Sequence, residues 1–323
     1  MLSVPILLIT FNRPKHTRKV LETIMQQQPS KLFVFQDGAR EGNTEDIEKG
    51  TKVREVIHSL IEDTATELHT FYSEKNLGCG PGPAAGISWF FEHVEQGIII
   101  EDDAVPHPDF FAYAEELLER YKEDADVRAI GSMHLDYQTY GDGSYYFSKM
   151  NRTFCAWATW RRAWNDFDLY MKTVSRKDLS KALKWYGSHL REREYWCDRL
   201  DEIHKDCLNN SSWDQQFWMS IWLHRGKGIM PNVNLSSNIG FDETGTHTTD
   251  KNSPGAMRPT SSILPLIHPS STSIQFKADL RFQQIYFEPY NYGWSGFKRL
   301  LFRLNKRLKR LVGHEGPWLK KKK

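Results

Sequence analysis

Three polar clusters in this 323-residue chain each follow directly on a short hydrophobic run. They are Thr10-Phe-Asn-Arg13, Gln36-Asp37-Gly38 and Glu101-Asp102-Asp103. The acidic trio carries the most chemistry. Three adjacent carboxylates repel one another unless a cation or a set of donors offsets them. A hard divalent ion such as Mg²⁺ or Mn²⁺ takes few carboxylates together with substrate phosphate oxygens, and there it neutralises a diphosphate leaving group. The plainer alternative is a solvated acidic turn ahead of Pro106 and Pro108. Its place at the end of the apolar run Gly97-Ile-Ile-Ile100 favours the cation. Asp37 has the chemistry to accept from a nucleobase or ribose, or else belongs to an ordinary Asp-Gly turn. The Arg13 guanidinium suits a phosphate, or is a surface group before a helix-starting proline.

Further along, Asn76-Leu-Gly-Cys-Gly-Pro-Gly82 lacks the Gly-Lys-Ser/Thr of a P-loop and reads as a place where backbone approaches a nucleotide. Trp213-Asp214 precedes a strongly aromatic segment with Phe217, Trp218 and Trp222. Asp214 there is either a helix cap or a general base for an acceptor hydroxyl. His247, in Gly245-Thr-His-Thr, is a candidate metal or phosphate contact.

These groups need a scaffold, and the hydrophobic pattern predicts one. Val4 to Thr10, Lys31 to Gln36, Glu67 to Ser73 and Gly97 to Ile100 read as strands, with helices over His16 to Gln27, Glu45 to Ile61, Ile87 to Val94 and Pro108 to Tyr121. One strand per helix is the rhythm of an open, mostly parallel α/β sheet, in which ligands bind beyond the carboxyl ends of the strands. Gly78 to Gly86 reads as a turn leading into the third helix, and Val127 to Gly131 as another strand. From Tyr145 the pattern loosens: Phe154 to Trp164, Lys181 to Asn209 and Trp213 to Arg225 read as helices or ordered loops. Gly228 to Asn234 reads as a late strand, and Gly240 to Ser262 as a mobile loop.

Composition narrows the class. Aromatic residues are 13% of the chain, with 11 Trp, most of them expected in the core. The net charge of +2 hides an asymmetry, since Lys298 to Lys323 hold 11 basic residues and one acid, leaving 32 basic and 40 acidic residues elsewhere. A mildly acidic body argues against nucleic-acid binding. Cys79, Cys155, Cys197 and Cys207 show no CxxC spacing, so structural zinc and a disulfide framework are not expected. The opening residues lack a basic n-region, and no apolar run reaches the roughly 18 residues of a membrane span. A cytoplasmic location is therefore expected. Leu300, Leu301, Leu304, Leu308 and Leu311 align on one face of a basic C-terminal helix. That helix either rests on the inner face of an anionic membrane or packs on the domain.

Gln36-Asp37-Gly38, Ile100-Glu-Asp-Asp103, Pro108-Asp-Phe-Phe111 and Trp213-Asp214 resemble, in order and spacing, the N-acetylglucosaminyltransferase I group. Asn76-Leu-Gly-Cys79 through Trp89-Phe-Phe-Glu92 to the acidic trio looks closer still to a bacterial family of nucleotide-diphospho-sugar transferases, some labelled hemolytic-protein-like. The likeness covers roughly residues 4 to 247. It implies a Rossmann-like GT-A domain over 1–262, with a nucleotide-sugar-binding half at 1–131 and an acceptor half at 132–262, and a helical extension at 263–323. It also implies a nucleotide-diphosphate-sugar donor, a UDP-sugar first, with Mn²⁺ or Mg²⁺ and inversion at the anomeric carbon. Carried over by position, Asp37 contacts the base, Asp102 the ribose, Asp103 the metal, and Glu101 helps hold the donor. Asn12, Arg13 and Gln36 join the donor set, His247 the metal set, and Asp214 is the catalytic base. The Asp214 segment reads Trp-Asp-Gln-Gln, so only its first pair matches. The group's luminal anchor helix is missing, so the acceptor does not carry over. A glycan or lipid-linked acceptor in surface polysaccharide synthesis fits what remains. The rivals are an inactive nucleotide-sugar or glycan-binding module and a metal-dependent phosphohydrolase or nucleotidyltransferase. A nucleotidyltransferase is expected to carry a Gly-rich, basic loop after the first strand, where this chain has Phe-Asn-Arg-Pro.

Overall fold

The computed structural model describes residues 1–136, 138–205, 213–241 and 256–287. Its elements in chain order are β1 (Ile6–Thr10), α1 (Pro14–Met25), β2 (Lys31–Gln36), α2 (Thr44–Ile61), β3 (Glu67–Tyr72), α3 (Pro81–His93), β4 (Gln96–Glu101), β5 (Ala104–Pro106), α4 (Pro108–Arg120) and β6 (Val127–Gly131). There follow β7 (Tyr145–Ser148), β8 (Ala156–Trp160), α5 (Arg161–Trp164), α6 (Arg176–Trp185), α7 (Leu190–Lys205), α8 (Asp214–Leu223), β9 (Lys227–Pro231), β10 (Ser236–Asn238) and α9 (Phe276–Tyr286).

An eight-stranded sheet in the order β3-β2-β1-β4-β8-β6-β9-β7 organises the chain. Strands β3, β2, β1 and β4 run parallel. β8 runs antiparallel between β4 and β6, β9 is parallel to β6, and β7 closes the far edge antiparallel. This is an α/β fold with a mostly parallel sheet flanked by helices. β1 is buried at every position, the mark of a strand covered on both faces. Pro14 opens α1 at a position where its missing N–H costs nothing. Thr17, Val20, Leu21 and Ile24 form that helix's buried stripe. Asn43 caps α2 by accepting from the Asp46 N–H at 3.1 Å.

Two stretches depart from the sequence expectation. Of the Gly78 to Gly86 run expected as a turn, only the first three residues lie outside helix, because α3 already begins at Pro81. Small residues serve close packing there, since a Cβ on Gly86 would lie 2.6 Å from the Phe35 ring on β2. Phe154 to Trp164, expected as helix or ordered loop, holds the central strand β8. Its five residues are all buried, so no alternation marked it. Strands β5, β7 and β10 were likewise not visible in the pattern.

The aromatic middle of the chain is mostly core, as expected. Trp157 on β8 stacks on Trp213 with ring centroids 5.5 Å apart, and both belong to a cluster with Phe35, Ile99, Trp164 and Phe217. One compact unit spans Met1–Phe282. Within this unit the buried Asp279 of α9 accepts from the Ser148 hydroxyl at 2.5 Å and the Lys149 N–H at 3.3 Å. A second unit comprises Gln283–Lys323, of which 283–287 are described. Cys207, His247 and the basic C-terminal helix lie outside the described residues. Among the described residues, no helix is long and apolar enough to cross a membrane.

Candidate functional site

The chain winds outward from β1 through β2 to β3, then returns to place β4 on the other side of β1. That reversal is a topological switch point, where the loops leaving two neighbouring strands diverge and open a crevice. Thr10 pairs with Gln36 across β1 and β2, and Ile9 with Glu101 across β1 and β4. All three sequence-selected clusters therefore sit at one edge of the sheet, and two of them flank the switch point.

Arg13, just past β1, reaches across the crevice to the residues that follow β4. Its Nη1 lies 3.0 Å from Asp103 Oδ2, and its Nη2 makes a very short ion pair with Asp102 Oδ1. Burial pulls the guanidinium pKa down, but the two carboxylates more than offset this and hold it above its ordinary value. In the described structure Arg13 thus serves as counter-ion to the acidic pair it was expected to sit beside as a phosphate ligand. The pairing is incomplete. Asp102 Oδ2 and Asp103 Oδ1 are buried with no hydrogen-bond partner among the described residues, a costly condition for a carboxylate. Burial raises the Asp102 pKa against the pull of Arg13.

Glu101 is the third acid of the site. Burial pushes its carboxyl well above the ordinary range, and the charges of Asp103 and Asp214 push it further. The charge of Asp214 thus acts on this carboxyl, although 113 positions separate the two in sequence. Asp214 is the first residue of α8. The helix is fastened by two indoles that donate hydrogen bonds: Trp218 Nε1 to Thr153 Oγ1 at 2.9 Å, and Trp222 Nε1 to the Lys149 carbonyl at 2.6 Å. The segment they grip leads to Cys155, whose carbonyl accepts from the Glu101 N–H at 2.9 Å.

The opposite wall comes from β10, which pairs antiparallel with β5 so that Asn238 faces Ala104. The Ile239 N–H donates to the Asp103 carbonyl at 2.8 Å. A Cβ on Gly240 would stand 2.1 Å from Asp103 Oδ2, so only glycine lets the chain pass there. Asn238 Nδ2 lies 3.3 Å from the sulfur of Cys155, a buried residue at φ +67°. Burial and the charges of Glu101 and Asp103 push that thiol well up, so it stays protonated and is no nucleophile. Cys155, Asn238 and Gly240 were missed from sequence. Only the long-range pairing of β10 with β5 brings the latter two here, and no local pattern announces it.

The second cluster is arranged differently. Gln36 is buried and its amide is fully used: Nε2 donates to the carbonyls of Phe11 and Gly50 at 3.0 and 2.9 Å, and Oε1 accepts from Arg54 Nε at 2.6 Å. Asp37 Oδ1 accepts from the N–H groups of Gly38 and Leu77 at 2.9 and 2.8 Å. Its Oδ2 accepts from the Gly78 N–H and Asn76 Nδ2 at 2.9 and 3.1 Å. Burial raises its pKa and these backbone donors oppose the rise. Asn12 donates to Asp46 at 2.7 Å, and Arg40 also grips Asp46. The structure therefore brings Arg13, Glu101, Asp102 and Asp103 together within electrostatic reach of Asp214, whereas Asn12 and Gln36 tie helix α2 to the sheet end and Asp37 holds the loop after β3.

Among the described residues no three His, Cys, Asp or Glu side chains form a ready metal-binding group. The donor chemistry nevertheless fits a hard cation that takes only part of its shell from protein. Two buried carboxylate oxygens, on Asp102 and Asp103, lack partners among the described residues, and such ions complete their coordination with phosphate and water.

Among known proteins, no family model and no curated protein matches the sequence. Solved structures that share part of the topology include apo-UDP-glucose pyrophosphorylase, at 10% identity over 74% of this chain and 93% of that one, with a TM-score of 0.35. Another is 4-diphosphocytidyl-2C-methyl-D-erythritol synthase from Anaerococcus prevotii, at 10% identity over 51% and 74%, with a TM-score of 0.32. The inositol-1-phosphate CTP transferase from T. maritima aligns at 11% identity over 51% and 74%, with a TM-score of 0.30. Likeness this loose carries no argument about chemistry, which rests on the site itself.

Proposed function

We propose that this chain is a glycosyltransferase that moves a sugar from a nucleotide-diphosphate donor, a UDP-sugar first, to a glycan or lipid-linked acceptor. The reading is supported by an acidic pair at the switch-point crevice with two oxygens that lack partners among the described residues, and by the charge of a separate carboxylate, Asp214, acting on Glu101 beside it. Asp102 and Asp103 would hold Mn²⁺ or Mg²⁺ together with the donor diphosphate, and the bound ion would neutralise charge on the departing nucleotide. Arg13 keeps the acidic pair positioned and stands where a phosphate would arrive. Glu101 supports the donor from below. Asp214 takes the proton of the acceptor hydroxyl as its oxygen bonds to the anomeric carbon and the carbon–oxygen bond to the diphosphate breaks. One base placed opposite the leaving group gives inversion, and orientation supplies much of the rate.

The role of Asp37 is revised within this proposal. With both oxygens occupied by loop donors, it shapes the wall of a nucleotide pocket through Asn76-Leu-Gly78. The same arrangement fits the glycine-rich segment's expected role of letting backbone approach the nucleotide. The test is nucleotide release from a panel of UDP-, GDP- and TDP-sugars, with and without acceptor glycans. Asp214→Asn should bind donor as the wild type does and lose transfer. Wild-type turnover in that variant removes Asp214 from its role.

A further inference from the structure

Away from the crevice, a groove of about 490 Å³ lies between α6 and the far end of α8, lined by Asp178, Lys181, Lys184, Trp185, Leu223 and Arg225. Lys177, Lys181, Lys184 and Trp185 fall at i, i+4, i+7 and i+8 of α6, so they share one face, and all four are exposed. Trp185 leaves 54% of its surface open to solvent. A tryptophan this exposed is uncommon in a core-building role, and most other indoles among the described residues are buried. Arg176, on the same helix, is tied to Glu194, Asp198 and Asp201. The three lysines make no ion pair among the described residues. Asp178, the acid of the groove, is occupied by the Ser175 hydroxyl and N–H in the cap of α6.

Arg225 adds an independent sign. It follows α8 at φ +58°, in a helix-ending arrangement in which Gly226 N–H reaches back to the Ile221 carbonyl at 2.9 Å. Glycine or asparagine is the usual residue at that left-handed position, and a long side chain there is strained. The arginine stands there nonetheless, with its guanidinium 5.6 Å from the centre of the Trp185 ring.

We propose that this groove binds an anionic sugar polymer, such as a uronate-bearing chain, as a holding site for the extended acceptor. An open indole face matches the apolar C–H face of a pyranose ring. Lys181, Lys184 and Arg225 around it, with Lys177 further along the same helix face, match regularly spaced carboxylates, and the shallow, open groove suits a chain more than a small molecule. α8 links the two sites: Asp214 heads it and Leu223 ends it, about 14 Å apart along the axis. As an acceptor site the groove rests on the glycosyltransferase reading. As a glycan-binding surface it stands by itself.

The test is titration calorimetry of the full chain with polygalacturonate and with heparin, using dextran as the neutral control. Binding of at least one polyanion, weakening as salt rises, is expected, with none to dextran. Trp185→Ala and the double variant Lys181→Ala/Lys184→Ala should each weaken it at least tenfold, with Trp185→Phe in between. Arg225→Gly should raise the melting temperature while lowering the affinity, an opposition that a purely structural arginine does not produce. Melting shifts with UDP and Mn²⁺, measured on the same variants, should be unchanged. Equal binding by wild type and variants, or no binding of either polymer, overturns the proposal. So does adsorption to phosphatidylglycerol vesicles that depends on Trp185 while both polymers fail to bind, which makes the groove a membrane contact. If polyanions bind through Trp185 while UDP gives no shift, the groove stands and the donor-site reading falls.

Discussion

Gln36-Asp37 and Asp102-Asp103 look alike in sequence, each a polar pair at the carboxyl end of a buried strand, and the fold treats them in opposite ways. Every oxygen of Asp37 and the whole amide of Gln36 are matched to donors or acceptors from adjoining loops and helix α2. Asp102 and Asp103 share one arginine and, among the described residues, keep one buried oxygen each without a partner. A saturated polar cluster fixes structure, because each of its groups lowers its own burial cost. An unsaturated one raises the energy of the empty protein and lowers it when the missing partner binds. Position at a strand end marks both, and only satisfaction separates them.

This contrast can be broken by mutation. The largest effect is expected for Asp214→Asn, with transfer falling by about 10²–10⁴-fold while nucleotide binding is retained; steady-state turnover beside a binding titration reads both. Next comes Gln36→Leu, which leaves the Phe11 and Gly50 carbonyls and Arg54 without their partner. It should lower stability by about 1–3 kcal/mol in urea melts, and a loss comparable to that of a surface substitution would mean the cluster is not the brace described here.

Glu101→Gln should act in the opposite sense on the metal-free protein. The folded-state pKa of Glu101 is raised, so this carboxyl favours folding below its unfolded pKa, and that contribution fades as pH rises through the folded value. The glutamine variant should match wild type at pH 4 and gain on it as pH rises. Between the unfolded and folded pKa values the gain is about 1.4 kcal/mol per pH unit, read from urea melts across that range. The smallest effect belongs to Asp46 in the saturated region, whose pKa is lowered to about 2, chiefly by its hydrogen bond from Arg40. Its contribution is present above the ordinary value of 3.8 and is lost as pH falls toward 2. Arg40 is exposed and screened, so Asp46→Asn should cost about 1 kcal/mol at pH 7 and progressively less below pH 4.

Strands β1, β2 and β4 of the parallel half were legible because each is a continuous apolar run with a turn signal behind it, as in Leu32 to Gln36. The second half was not, because β8 carries Trp157 and Trp160 among alanines and a threonine, a composition shared by buried helices. The acidic trio could be selected from its place after Ile98-Ile-Ile100, and Asp214 from its aromatic helix. Sequence could not tell that Arg13 would answer the acids, or that Asp37 would be consumed by the loop at Asn76. Those outcomes depend on which loops meet at the sheet edge. Asn238 and Gly240 reach the site through a three-residue strand whose register no local periodicity encodes.

The central claim is that the unpartnered oxygens of Asp102 and Asp103 await a cation and a nucleotide diphosphate. It is tested most directly by following the melting temperature with UDP, GDP and their sugars, with and without Mn²⁺, on wild type and Asp103→Ala. A ligand that binds only the folded state at 100 times its Kd adds about 2.7 kcal/mol. The account predicts a clear rise for one nucleotide only when Mn²⁺ is present, and no rise in Asp103→Ala. No shift with any nucleotide, or the same shift in both proteins, would contradict it.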